Sequence, residues 1–278
     1  MSGLSKKRLF RVGVFQTEVE LKNREKNQEN LRNWMKERYA PSDIPTAIAL
    51  PELWDVGYCL DEAEAYADRG SKSALALLSG LAKQYGVWFT GGSVLAESEG
   101  RYYNRTHVIA PDGKLVAQYD KVHLLPFITS EVGVITGGAG ECLYTAGDAK
   151  CGNIICYDIR FPEWVRSYAL SGIDALFVSA QWTSARMDLW KTMIRAHAIS
   201  NAFYIVAVNC GGMSGDISYG GGSLVCGPNG EILFEGNSAA DTGFVELDLD
   251  GLAETRGFLK VFESRVPKFY GRVTHAPE

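Results

Sequence analysis

Short apolar runs alternate with helical stretches along most of this 278-residue chain, and twice a turn sequence folds one run back on the next. Strand-like runs fall at Phe10–Phe15, Ala47–Leu50, Val87–Thr90, Gly152–Cys156, Ala175–Ser179, Tyr204–Asn209 and Gly243–Leu249. Between them, Asn27–Arg38, Ser71–Tyr85, Pro162–Ser171 and Met187–Ala202 read as helices by apolar spacing or by a start signal, with Pro162 in a first turn that needs no N–H. Pro111-Asp112-Gly113 joins Tyr102–Ala110 to Leu115–Tyr119, and Gly227-Pro228-Asn229-Gly230 joins Gly222–Cys226 to Glu231–Phe234; both are hairpin signals. Repeated β–α units favour parallel strands, whereas hairpins impose antiparallel pairs. The pattern therefore predicts an α/β protein with mixed sheets. No linker, low-complexity tract or solenoid-length repeat divides the chain, so residues 1–278 are expected to form a single domain.

Composition narrows the functional classes. With 46% hydrophobic and 22% charged residues the chain is ordinary globular material, and its formal charge of −5 argues against a nucleic-acid partner, which needs a concentrated basic face. The longest basic run is Lys6-Lys7-Arg8, read as a solvated terminus. No apolar stretch reaches the roughly 18 residues of a membrane span, and the first twenty residues lack a signal-peptide core, so a cytoplasmic protein without membrane contact is expected. The cysteines at 59, 142, 151, 156, 210 and 226 form no CxxC pair, and the histidines at 107, 123, 197 and 275 show no HxxH spacing. Neither a metal nor any other cofactor is expected. The glycine clusters Gly137-Gly138 and Gly220–Gly222 lack a following Lys-Ser/Thr and read as loops, not phosphate cradles.

Three strand ends finish in reactive side chains. The run IALPELW stops at Pro51 and delivers Glu52; QYDKVHLLPF places Lys121 after a strand; IICYDIRFPE carries Cys156 into a polar turn. Loops beyond strand carboxyl ends are where α/β folds hold reactive groups. Singly, each residue reads as a surface charge or a buried filler thiol. Together they suffice for acyl transfer without a histidine. A carboxylate in a dry cleft can take the thiol proton, and an ammonium with a backbone N–H can stabilise the oxyanion.

LPELW with Glu52, YDKVHL with Lys121 and ICYDIRFPE with Cys156 resemble, in order and spacing, the Glu–Lys–Cys triad segments of the nitrilase superfamily of carbon–nitrogen hydrolases. SAQW at 179–182, the stretch from Arg186 to Gly212 and GGSLVCGPNGEIL at 221–233 extend the resemblance over nearly the whole chain. It implies a four-layer α-β-β-α sandwich, with Glu52 as general base, Cys156 as nucleophile, Lys121 as stabiliser of the tetrahedral intermediate and the Tyr157 N–H as second oxyanion donor. It also implies a second glutamate on the lysine, matched by Glu131 in surroundings that depart from the commoner Asp-Glu-His pattern. Tyr58, Phe127 and Trp182 are candidate pocket walls or core aromatics, and Arg186 either meets a substrate carboxylate or forms a structural ion pair. Asp158, Arg160 and Glu163 are expected to brace the nucleophile turn by charge-assisted hydrogen bonds.

Two positions depart from related sequences. Leu189 stands in an RxxHW-like stretch where histidine is common, and His197 stands where RARA is common; both are expected to bear on substrate preference. The combination of ICYDIRFPEW and SAQW is similar to bacterial omega-amidases. This implies a small-molecule substrate such as 2-oxoglutaramate or 2-oxosuccinamate, a thioester intermediate, and a homodimer or higher homo-oligomer. Alternatives are another amidase of the superfamily acting on deaminated glutathione, a carbamoyl amine or a nitrile, a Cys–His hydrolase using His123 or His197, and a non-catalytic protein keeping the fold. The Glu–Lys–Cys reading expects Lys121→Ala to abolish ammonia release from an amide substrate. Activity at the parent rate in that variant would turn the assignment toward a Cys–His pair.

Overall fold

Both faces of the central strands are apolar, which drives the chain to build two sheets and to cover each with helices. In chain order the first sheet takes β1 (Leu9–Gln16), β2 (Thr46–Ala49), β3 (Asp68–Arg69), β4 (Trp88–Phe89), β5 (Ser93–Ser98), β6 (Arg101–Ile109) and β7 (Leu115–Asp120). The second takes β8 (Cys142–Ala146), β9 (Ala149–Ile155), β10 (Ala175–Ala180) and β11 (Tyr204–Asn209). A separate hairpin of β12 (Gly211–Ser214) and β13 (Ile217–Gly220) follows; β14 (Leu224–Cys226) and β15 (Ile232–Glu235) then complete the second sheet, and β16 (Asp241–Asp248) returns to the first. The helices are α1 (Arg24–Arg38), α2 (Ala63–Tyr66), α3 (Lys72–Tyr85), α4 (Pro162–Leu170), α5 (Met187–Asn201) and α6 (Leu249–Leu259). The structure, a computed structural model, describes residues 7–127 and 131–271.

The first sheet runs β16-β1-β2-β4-β6-β5-β3 with β7 on β6, and the second β15-β14-β11-β10-β9-β8. β1, β2 and β4 run parallel, as do β9, β10 and β11, while β16, β7, β14 and β15 join antiparallel. Both sheets are mixed, as the blend of β–α units and hairpins predicts. Strand alternation then sorts the side chains into layers. Val12, Val14, Ala47 and Ala49 of the first sheet meet Cys151, Ala175, Phe177, Val206 and Val208 of the second, forming the core between the sheets. On the outer face of the first sheet, Ile48 and Phe89 pack against Leu31, Trp34 and Met35 of α1 and Leu77, Leu78 and Leu81 of α3. On the outer face of the second, Ile154, Leu176, Val178 and Ile205 pack against Val165 and Tyr168 of α4 and Trp190 and Ile194 of α5. The order α-β-β-α follows from these contacts, and the four-layer sandwich stands.

Several elements escape the sequence pattern. β5 and β6 form a hairpin in which Ser98 pairs with Arg101 and the two loop residues, Glu99 and Gly100, both have positive φ, the primed turn that matches strand twist. Glu99 adopts that conformation without the usual Asn or Asp, which hides the signal. α6 contains Gly251 and Gly257, which weaken helical propensity, and depends on Asp248, whose side chain caps the Gly251 N–H. β12 and β13 are too rich in glycine and serine to read as strands. Cys156 itself falls outside β9 and opens a turn of 3-10 helix.

Close packing of α4 on β9 requires Gly152. A Cβ there would lie 2.4 Å from Cδ1 of Tyr168, whose hydroxyl is fixed by hydrogen bonds with Asn153 O and the Cys142 N–H. Gly152→Val should therefore cost about 2–3 kcal/mol of stability, read as a lowered denaturation midpoint. A variant as stable as the parent would show that α4 can shift without loss.

Candidate active site

β2 belongs to the first sheet, β7 extends it, and β9 belongs to the second, so Glu52, Lys121 and Cys156 approach one place from both layers. The chain leaves β2 through Leu50 and Pro51, and the Glu52 N–H donates to Ala180 O at the end of β10, joining the two sheets at this point. Lys121 directly follows β7, where its N–H donates to Asn104 O on β6. Cys156 leaves β9 with φ of 47°, a left-handed conformation that a cysteine adopts only under constraint.

The side chains of Glu52, Lys121 and Glu131 are all 0% exposed. Lys121 Nζ lies 2.8 Å from Glu52 Oε1 and 2.8 Å from Glu131 Oε2. Glu52 Oε1 also accepts from the Tyr58 hydroxyl at 2.7 Å and from Asn104 Nδ2 at 2.8 Å, while Oε2 accepts from the Gln181 N–H at 2.9 Å. Asn104 Nδ2 reaches Glu131 Oε1 at 2.9 Å as well, so one amide bridges both carboxylates. Glu131 Oε2 further accepts from the Leu125 N–H at 2.8 Å. The Glu131 pairing implied by resemblance is thus present in the geometry.

Protonation follows from burial and charge. Burial pushes the Cys156 thiol well above its ordinary range, the Glu52 charge pushes it further, and Lys121 only partly opposes them. The resting cysteine is a thiol beside a carboxylate. Burial works against the Lys121 ammonium, but the Glu52 and Glu131 carboxylates outweigh it and hold the amine protonated. Burial likewise raises Glu131, against the pull of Lys121. Tyr58 is held as a phenol, first by burial and then by the two carboxylates.

Above Cys156 lies a cleft lined by Tyr58, Phe127, Tyr157, Arg160, Trp182 and Arg186, among others. The three candidate pocket walls, Tyr58, Phe127 and Trp182, therefore border it, as does Arg186. Arg186 stands over the Phe127 ring at 5.5 Å and forms no ion pair among the described residues, so the structural salt bridge considered for it is not formed. Arg160 corrects the expected brace. It lines the cleft with its guanidinium 5.1 Å from the Trp182 ring centroid. Glu163 is exposed in the first turn of α4 and makes no ion pair among the described residues. Of the three, only Asp158 holds the turn, accepting the Ile155 N–H at 2.9 Å.

The two departures lie elsewhere. Leu189 is exposed on α5, and His197 is buried against Ile159 O at 2.9 Å; neither lines the cleft. His123 Nδ1 sits 2.7 Å from Asp158 Oδ1. Neither His123 nor His197 hydrogen-bonds Cys156, and His275 lies outside the described residues. Sequence reasoning missed Asn104, Gln181 and the cleft residues Ile217 and Tyr219 on β13. A polar Asn104 among buried positions of β6 was the available signal; a Gly- and Ser-rich hairpin offers none. Among the described residues, no group of three or more His, Cys, Asp and Glu side chains is placed to hold a metal ion, and no helix is long and apolar enough to cross a membrane.

A family model described as carbon-nitrogen hydrolase matches residues 11–257. A 2-oxoglutaramate amidase of Bacillus subtilis is 35% identical over 216 residues, covering 78% of this chain and 83% of its own length. A Staphylococcus lugdunensis protein named hydrolase in agr operon is 36% identical over 225 residues, covering 80% of this chain and 96% of its own. Among solved structures, a CN-hydrolase superfamily protein from Xanthomonas campestris, with an arsenic adduct in its active site, matches with a TM-score of 0.85 at 25% identity, over 92% of this chain and 97% of its own.

The buried charges make a stability prediction. Lys121→Met leaves Glu52 and Glu131 without their cation, and should cost about 3–5 kcal/mol at neutral pH. Without the ammonium, burial acts unopposed on Glu131 and holds its folded-state pKa above the unfolded one. The folded variant then takes up protons as pH falls, and its deficit shrinks toward pH ~5. Denaturant midpoints at acidic and neutral pH measure this; an equal deficit at both would refute it.

Proposed function

The chain belongs to the carbon–nitrogen hydrolase family and is an amidase of that class, and we propose that it removes the terminal amide of a short omega-amide 2-oxo acid such as 2-oxoglutaramate or 2-oxosuccinamate. One observation carries the reading. Glu52, Lys121 and Cys156 converge beneath a cleft whose lining, among the described residues, contains two arginines and no carboxylate. Such a lining favours a substrate with negative charge away from the reacting amide.

In this mechanism Glu52 takes the Cys156 thiol proton as sulfur attacks the amide carbon. Charge develops on the former carbonyl oxygen, where the Lys121 ammonium and the Tyr157 N–H are the proposed donors. Collapse expels the amide nitrogen, which leaves as ammonia with the proton held on Glu52, and a thioester remains on Cys156. Glu52 then draws a proton from water; the hydroxide attacks the thioester carbon, and the acid departs as the thiol is restored. Arg160 and Arg186 hold the substrate carboxylate, and Phe127 and Trp182 orient the two guanidinium groups by cation–π contact. The 2-oxoglutaramate amidase relative supports the choice of substrate.

The reading extends to assembly and place. Phe258 and Phe269, 86% and 74% exposed, leave apolar area near the chain's end that suits contact with a second copy, as expected of a homo-oligomer. Six buried free thiols suit a reducing, cytoplasmic setting.

Ammonia release from a panel of short omega-amides, nitriles and carbamoyl amines tests the reaction. Cys156→Ala should be inactive on every member. Arg160→Met and Arg186→Met should each raise KM about 10-fold for the anionic omega-amides and leave a neutral short amide nearly unaffected, consistent with the loss of one charge-assisted contact. A preference for neutral amides would overturn the substrate assignment, while full activity in Cys156→Ala would overturn the mechanism.

A further inference from the structure

We propose that Asp158 is a positioning residue that sets the separation of Lys121 and Cys156, with His123 and Tyr119 as its partners. The inference rests on the reading of Cys156 as nucleophile and Lys121 as oxyanion stabiliser. Asp158 is fully buried, and its carboxylate accepts from four donors. Oδ2 takes the Ile155 N–H at 2.9 Å and the Tyr119 hydroxyl at 2.7 Å. Oδ1 takes the His123 N–H at 2.9 Å and lies 2.7 Å from His123 Nδ1. An ionised carboxylate can only accept, so Nδ1 carries the proton whatever the charge of the ring.

The positions of the donors carry the argument. Tyr119 stands two residues before Lys121 and His123 two residues after it, so the backbone around the ammonium is gripped on both sides. Ile155 immediately precedes Cys156 and Asp158 follows it by two, so the strained cysteine, with φ of 47°, is likewise enclosed. One carboxylate therefore joins a strand end of the first sheet to the nucleophile turn of the second. Its partners are themselves held from α4 and from Phe161, the residue that precedes it. The His123 ring stacks on Phe161 at 3.7 Å with an interplanar angle of 13°, and Trp164 Nε1 donates to the Tyr119 hydroxyl at 3.2 Å.

Without this tie, a residue in the left-handed region has every reason to relax, and the sulfur moves relative to the ammonium. A misplacement near 1 Å costs about 100-fold in rate. The loss falls chiefly on kcat, because Arg186, Trp182 and Phe127 at the distant end of the substrate lie outside the turn that Asp158 holds.

The test compares Asp158→Asn, Tyr119→Phe, His123→Ala and His123→Asn, each checked for folding by circular dichroism. Ammonia release from 2-oxoglutaramate and alkylation of Cys156 by iodoacetamide, located by mass, are the two readouts. Expected are a fall in kcat of about 100-fold for Asp158→Asn and about 10-fold for Tyr119→Phe, with KM within about 3-fold of the parent. Alkylation should slow in the same order. His123→Asn, which offers an amide donor toward Asp158, should recover most of what His123→Ala loses. A kcat within about 2-fold of the parent in folded Tyr119→Phe and His123→Ala, or alkylation that stays level or quickens, overturns the proposal. Should Asp158→Asn fail to fold, the Tyr119 and His123 variants decide. If the parent releases no ammonia from 2-oxoglutaramate, the substrate reading fails, and the alkylation rates still judge the positioning role.

Discussion

An ammonium shared by two carboxylates, all three out of contact with water, governs this molecule. Lys121 lies between Glu52 and Glu131 at 2.8 Å from each. Dehydrating three charges is expensive, and attraction offsets the cost only where the geometry is tight and the remaining oxygen lone pairs are occupied. Tyr58, Asn104, the Gln181 N–H and the Leu125 N–H occupy them. Meeting that demand requires residues of β6 and of the segments that follow β2, β7 and β10 to converge. The two-sheet sandwich is the frame that lets them do so. A hydrophobic trio of similar volume would serve stability as well or better, so the charges point to chemistry.

In the proposed mechanism the same charges explain how a thiol that is protonated at rest becomes a nucleophile. Burial and Glu52 hold the proton on Cys156, whereas a Cys–His pair would begin as thiolate and imidazolium. Here ionisation of sulfur moves a proton to the neighbouring carboxylate and leaves the site's total charge unchanged. The step needs no dehydrated charge to be created from nothing. His123 makes no hydrogen bond to Cys156; with its Nδ1 on Asp158 and its ring stacked on Phe161, it supports the turn instead.

The meeting of Glu52, Lys121 and Cys156 was legible in the chain because all three follow strands, and a strand end places a side chain in space with few degrees of freedom. Glu52, Lys121 and Cys156 are all of that kind, and the apolar runs leading to them announce both the strands and the layers. What was not legible depends on pairing. Asn104 is an ordinary polar residue until β6 sets it beside both carboxylates. Arg160 looks like a brace for the turn beside Asp158 and Glu163, but the 3-10 turn sends it into the cleft. The side-chain partners of Asp158 lie more than thirty residues away in sequence, so local charge spacing suggested the wrong ones. β5, α6 and the β12–β13 hairpin were hidden for a related reason: turn geometry and capping, not apolar periodicity, decide them.

Glu131 connects the buried charges to the specificity of the cleft. Its side chain holds Lys121 and the Leu125 N–H, and its own N–H donates to Leu125 O at 2.9 Å. Leu125 borders the cleft, and Phe127, two residues on, supports Arg186 from below. The ammonium and the wall that the proposed mechanism sets against the oxyanion and the distant end of the substrate are therefore tied to one carboxylate. A wall hung from the catalytic charges cannot shift without disturbing them. Changes of substrate preference should consequently be easier on the opposite side, where Ile217 and Tyr219 of β13 meet the cleft through a hairpin with no bond to Lys121 or Glu131.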